Sequence, residues 1–133
     1  MFEWNDRYSV GIGSIDGQHQ GLFRLAGELH TAMMTGQGKA ASGRILDRLI
    51  QYTMSHFAHE ERLLRLNDYP DLAAHKAKHD ALTLRVQEFQ ANFERGNAVI
   101  TVQLLQFLKD WLVQHIEGTD QKYVPYVKNK AVA

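Results

Sequence analysis

The sequence predicts an all-α domain, an antiparallel up-down-up-down four-helix bundle with an ordered N-terminal arm. Three observations point there. Apolar residues return at three- and four-residue steps in four long stretches, glycines and two prolines punctuate the chain between them, and most of the seven histidines fall on the same stripes. The 133 residues fit one domain, residues 1–133, divided into an arm over 1–15, a bundle over 16–118 and a C-terminal extension over 119–133.

The arm carries Trp4, Tyr8, Val10, Ile12 and Ile15 among polar residues, enough apolar surface to pack on the bundle. The first helix is expected to start at Asp16, whose carboxylate can accept from first-turn N–H groups. His19, Leu22, Ala26, Leu29 and Met33 then form one stripe that Gly36 and Gly38 end. A second helix is expected over about 39–67, with Leu46, Leu49, Thr53, His56, Glu60 and Leu64 on one face. After the turn around Pro70, a third helix places Leu72, His75, His79, Leu82, Val86, Phe89 and Phe93 on its stripe and ends at Gly96-Asn97. The fourth carries Leu104, Leu108, Trp111, Leu112 and His115 and runs to Gly118.

Composition narrows the function before any motif does. Fifteen basic and fifteen acidic side chains leave no positive excess for phosphate neutralisation, so nucleic acid is not an expected partner. Without cysteine, a metal must be held by nitrogen and oxygen. No apolar run suits a membrane span, and the charged residues of the opening segment do not fit a secretory leader. A cytoplasmic protein with no membrane partner is expected, and a monomer.

In an up-down bundle the start of the first helix, the end of the second, the start of the third and the end of the fourth share one end. His19, His56 with Glu60, His75 with His79, and His115 occupy those four places. His56-x-x-x-Glu60 and His75-x-x-x-His79 each set two donors one above the other, about 6 Å apart on a helix. Asp120 follows His115 by five residues, about 140° away on a regular helix, unless Gly118 lets the chain make one wide turn of the kind found at functional sites. Singly, each group has an ordinary reading: a cap, a buried hydrogen-bonded pair, a solvated residue. Together they would bury seven polar groups in one layer at heavy cost unless they hold metal. Five imidazoles, two bridging carboxylates and a solvent-derived bridge would complete one six-coordinate ion and leave its neighbour one position open. His30 lies about 16 Å along the axis from His19 and is not expected to join them. His59 lies on another face from Glu60, and Glu61-Arg62 reads as a solvated face.

The segments Trp4-Asn5, Tyr8 to Ile12, Ile15-Asp16-Gly17-Gln18-His19, His56-Phe57 with Glu60-Glu61, His75 with His79, and Trp111-Leu112-Val113 leading to His115-Ile116 and Asp120 resemble the hemerythrin family, in particular its single-domain bacterial branch, the bacteriohemerythrins. The resemblance spans nearly the whole chain. It implies two iron ions bridged by oxo or hydroxo, Glu60 and Asp120, with His75, His79 and His115 on one iron and His19 and His56 on the other, which keeps the vacancy. It implies an oxygen pocket of Leu22, Phe57, Trp111, Leu112 and Ile116. It also implies reversible dioxygen binding for storage, transport, delivery or sensing, with an oxygen-consuming enzyme as a recipient.

The residues themselves favour a binding protein, not an enzyme. Neutral imidazoles make the ferrous state easier to regain than a carboxylate-rich set would, and the Glu-x-x-His pairs of other di-iron bundles do not occur. The alternative is a di-iron enzyme reducing nitric oxide, peroxide or dioxygen. That chemistry needs a proton donor by the open position, and Leu22, Phe57 and Ile116 supply none. Tyr123, three residues past Asp120, is the residue expected to pack or hydrogen-bond near the site.

Overall fold

The computed structural model describes residues 2–127. Helices α1 (Gly13–Met34), α2 (Lys39–Leu66), α3 (Leu72–Glu94) and α4 (Val102–Gln114) form the bundle, with no strand among the described residues. A short 3-10 turn (Asp6–Tyr8) precedes them. Beyond α4 the chain continues as a π-helical segment, His115–Thr119, and a 3-10 segment, Asp120–Tyr126.

The termini of the helices follow local chemistry. Gly36 and Gly96 adopt φ of 70° and 79° just past α1 and α3, a conformation that costs glycine little and other residues more. Thr101 caps α4 by accepting the Leu104 N–H at 3.1 Å. Where α1 meets α2, Gly21 leaves the space that the Tyr52 phenol occupies, and a Cβ there would force the phenol to move.

Two expectations about helix ends are corrected. Helix α1 starts before Asp16, with Ile12 as its cap residue. Asp16 turns its carboxylate back onto the arm, accepting from the Val10 N–H at 2.8 Å and from the Ser9 hydroxyl. It is a latch for the arm, which it can be because the arm crosses the first turn of α1. The last helix does not stop at Gly118: the chain widens into the π segment and then tightens, so helical geometry persists to Tyr126.

Apolar side chains separate into two clusters. The larger fills the bundle with residues of all four helices, including Leu22, Leu29, Leu46, Ile50, Phe93, Leu105 and Leu108. It takes in the arm through Tyr8, which stacks on Phe23 with ring centroids 5.4 Å apart. The smaller joins Val10, Ile12 and Ile15 to Leu64, Tyr69, Tyr123 and Val127. Val10 to Ile15 and the residues past Asp120 thus close one end of the bundle. The rest of the C-terminal extension, 128–133, lies outside the described residues.

Candidate metal centre

A layer of buried polar side chains interrupts the hydrocarbon. His19 comes from α1, His56 and Glu60 from α2, His75 and His79 from α3, and all are buried. His115 opens the π segment, Asp120 follows its last residue, and both are buried too. The extra residue of a π turn brings a five-residue pair onto one face, which an α-helical turn would hold apart. All seven sequence-predicted donors therefore meet.

Their arrangement is ordered by the two carboxylates. Glu60 Oε2 lies 3.7 Å from His19 Nε2 and 3.5 Å from His56 Nε2, while its Oε1 lies 3.1 Å from His79 Nε2 and against His75 Nε2. Asp120 repeats the division, with Oδ2 at 3.2 Å from His19 Nε2 and Oδ1 at 3.4 and 3.1 Å from His75 and His115. Each carboxylate thus turns one oxygen to the His19/His56 side and the other to the His75/His79/His115 side. Donor atoms close enough to share one ion form two sets, Glu60 with His75, His79 and His115, and Glu60 with His19 and His56.

The donors fit a metal pair better than they fit one another. Both Asp120 oxygens are buried without a hydrogen bond among the described residues, although Nε2 atoms stand close by. Leaving acceptors so buried is costly unless something positive sits among them. All five imidazoles present Nε2 inward, as ligands on a common centre would.

Protons are shared unevenly in the metal-free layer. Burial alone would depress His19, but Asp120 and Glu60 overcome it and lift its pKa to about 9. Burial dominates at His56 and pushes it down to about 3. Burial works against the Glu60 carboxylate, yet the imidazoles of His19, His75 and His79 hold its pKa well below the usual range. His79 is raised because Glu60 and Glu61 outweigh its burial. Tyr123 is pushed well up by burial and by the neighbouring Glu60 and Asp120. It donates its phenolic O–H to Glu60 Oε2 at 3.2 Å.

The far faces of two ligand rings are also occupied, and here the sequence reading missed two residues. Gln18 Oε1 accepts from His56 Nδ1 at 2.6 Å. Glu61, expected on a solvated face, is only 18% exposed in its side chain and accepts from His79 Nδ1 at 2.8 Å. Each follows or precedes a ligand by one residue, about 100° round the helix and so towards the neighbouring helix. That adjacency was the available signal. His59 instead pairs with Ser14 at 3.1 Å, and His30 lies against Phe2, its ring centroid 6.5 Å away. Neither belongs to the layer.

On the core side, Phe57 stacks on His79 at 3.8 Å between centroids and Trp111 on His115 at 4.4 Å. Leu22, Phe57, Trp111 and Leu112 line a cavity of about 40 Å³ with Ala26, Leu46, Ile50, Leu82 and other apolar neighbours, and with one hydroxyl, that of Thr53, which donates to the Leu49 carbonyl at 2.7 Å. That exceeds the ~10–15 Å³ needed for one water-sized guest. Ile116 is buried in the large core but does not line this cavity.

Comparison with known proteins places this geometry. Residues 10–127 match the hemerythrin HHE cation binding domain. Over 128 residues the chain is 41% identical to a bacteriohemerythrin of Stenotrophomonas maltophilia (strain R551-3), covering 96% of this chain and 82% of that one. A bacteriohemerythrin of Methylococcus capsulatus (strain ATCC 33009 / NCIMB 11132 / Bath) is 36% identical over 118 residues, 89% of each chain. A crystal structure of wild-type hemerythrin superposes with a TM-score of 0.90 at 35% identity, covering 94% of this chain and 96% of that one.

Proposed function

The chain belongs to the hemerythrin family, and from that premise we propose that it binds dioxygen reversibly at a centre of two iron ions, for storage, transport, delivery or sensing. The observation that carries the reading is the division of Glu60 and Asp120, each with one oxygen towards each of two histidine groups, next to a largely apolar cavity. His75, His79 and His115 would hold one ion and His19 and His56 the other, with Glu60 and Asp120 offering an oxygen to each. When bound, the pair supplies two electrons to a small neutral guest and takes them back on its release.

The chain's own residues account for the reversibility. Leu22, Phe57, Trp111 and Leu112 offer the guest a site without an acidic side chain: the Trp111 indole N–H is a very weak acid, the Thr53 hydroxyl is committed to the Leu49 carbonyl at 2.7 Å, and Ile116 packs in the core behind the site. Such a lining withholds the protons that reduction of dioxygen to water would consume. The O–H of Tyr123, in the smaller cluster and outside the cavity lining, is committed to Glu60 Oε2 at 3.2 Å and steadies that carboxylate. Five imidazoles keep the net charge on the metals moderate, which favours return to the ferrous state. The reading is of a binding protein that passes its cargo to an oxygen-consuming partner, not of an enzyme.

The test is optical. Ferrous-loaded protein is exposed to air and then purged with inert gas. A visible charge-transfer band that forms, disappears on purging and forms again supports reversible binding. Immediate irreversible oxidation, or sustained consumption of nitric oxide or peroxide, would make the centre an enzyme's.

A further inference from the structure

Resting on the metal-pair reading, the structure assigns to Glu61 the role of making the two halves of the centre more unequal than ligand number alone does: it strengthens the His75/His79/His115 half, which fills first. The two halves differ behind their ligands as well as in ligand number. On the three-histidine side, His79 Nδ1 donates to the carboxylate of Glu61 at 2.8 Å. On the two-histidine side, His56 Nδ1 donates to the neutral amide oxygen of Gln18 at 2.6 Å. His75 and His19, one in each half, have no acceptor at Nδ1 among the described residues, so the carboxylate behind His79 and the amide behind His56 are what distinguishes these two pairs of rings.

The chemical consequence follows from how an imidazole transmits charge. A carboxylate that accepts the Nδ1 proton stabilises positive charge on the ring, fixes its tautomer and makes Nε2 a stronger donor to a metal; an amide oxygen fixes the tautomer with much less effect on basicity. The Glu61–His79 contact is mostly shielded from solvent, and Phe57 stacked on the same ring holds it in place. Glu61 is thus a positioning residue acting through His79. Gln18 leaves the other half weaker, which suits the side that must keep a position open.

Calorimetric titration of the metal-free protein with zinc alone reads this directly. Two binding steps of different affinity are expected, the tighter abolished by His79→Ala and the weaker by His19→Ala. Glu61→Gln should weaken the tighter step about 10- to 100-fold, the usual effect of losing such a ligand partner, and leave the weaker step in place. Glu61→Asp should restore part of the loss, and Gln18→Glu should strengthen the weaker step alone. Thermal unfolding of the metal-free variants separates these effects from misfolding. Two equal steps in the parent protein, or equal affinities in Glu61→Gln and the parent, would overturn the role of Glu61 while leaving the metal pair intact. Absence of any zinc binding would instead defeat the metal-pair reading itself.

Discussion

Two layers of the same bundle solve the problem of burial in opposite ways. Around Leu29, Leu105 and Leu108 the helices meet through hydrocarbon, which asks nothing of its surroundings but exclusion of water. Around Glu60 and Asp120 they meet through donors and acceptors that are equally buried, yet both Asp120 oxygens go without a hydrogen bond among the described residues. The first layer is complete as folded. The second is complete only with protons or metal ions in it. Stability is therefore expected to reside in one layer and binding in the other, and changes in each should be separable.

The largest effect should come from the polar layer. His56→Ala removes one of two imidazoles from its half, and metal analysis should find two-ion binding abolished while the helical circular dichroism persists. In the hydrocarbon layer, Leu105→Ala should cost roughly 2–5 kcal/mol by leaving a cavity, seen as a lowered unfolding midpoint with metal stoichiometry unchanged. Metal loss from Leu105→Ala comparable to that from His56→Ala would erase the distinction between the layers.

Acid should act on the polar layer alone. In the metal-free protein the buried neutral His56 titrates near 3 when folded and near 6.5 when unfolded, so its contribution is complete above 6.5 and lost as pH falls from there to about 3. Glu60, depressed below 4.5, adds to the loss over the lower part of that window. Denaturant melts between pH 7 and 3 should show falling stability, and a flat profile would contradict the burial of neutral His56. Tyr123→Phe removes one hydrogen bond to a buried carboxylate and should cost about 1–3 kcal/mol in chemical unfolding. His30→Ala, outside both the layer and its partners, should stay within about 0.5 kcal/mol of the parent and retain both ions.

The layers were unequally legible in the sequence for physical reasons. The apolar stripes announce themselves because a 3.6-residue period repeats over many turns, and the same stripes carried His19, His56, Glu60, His75 and His79 as polar residues where hydrocarbon belongs. Asp120 was harder. Its five-residue spacing from His115 fits no α-helical face, and Gly118 was the clue to the wide turn that the structure contains. The contacts of Gln18 and Glu61 with ligand rings were not legible, although both residues lie in the segments that carry the resemblance, because they sit one residue from a ligand, off the stripe, where a polar residue normally faces water. Their partners are the far nitrogens of rings on a neighbouring helix, and periodicity within one helix carries no information about those. Asp16 misled in a similar way: its position suits a helix cap, but the arm supplies better donors at Ser9 and Val10.

The central claim is most directly tested by measuring iron per chain in ferrous-loaded protein while following its visible spectrum through a cycle of air and inert gas. Two irons per chain, one for each set of donors, and a band that comes and goes with the gas are expected. A single iron per chain, or a spectrum that changes once and does not return, would contradict that claim.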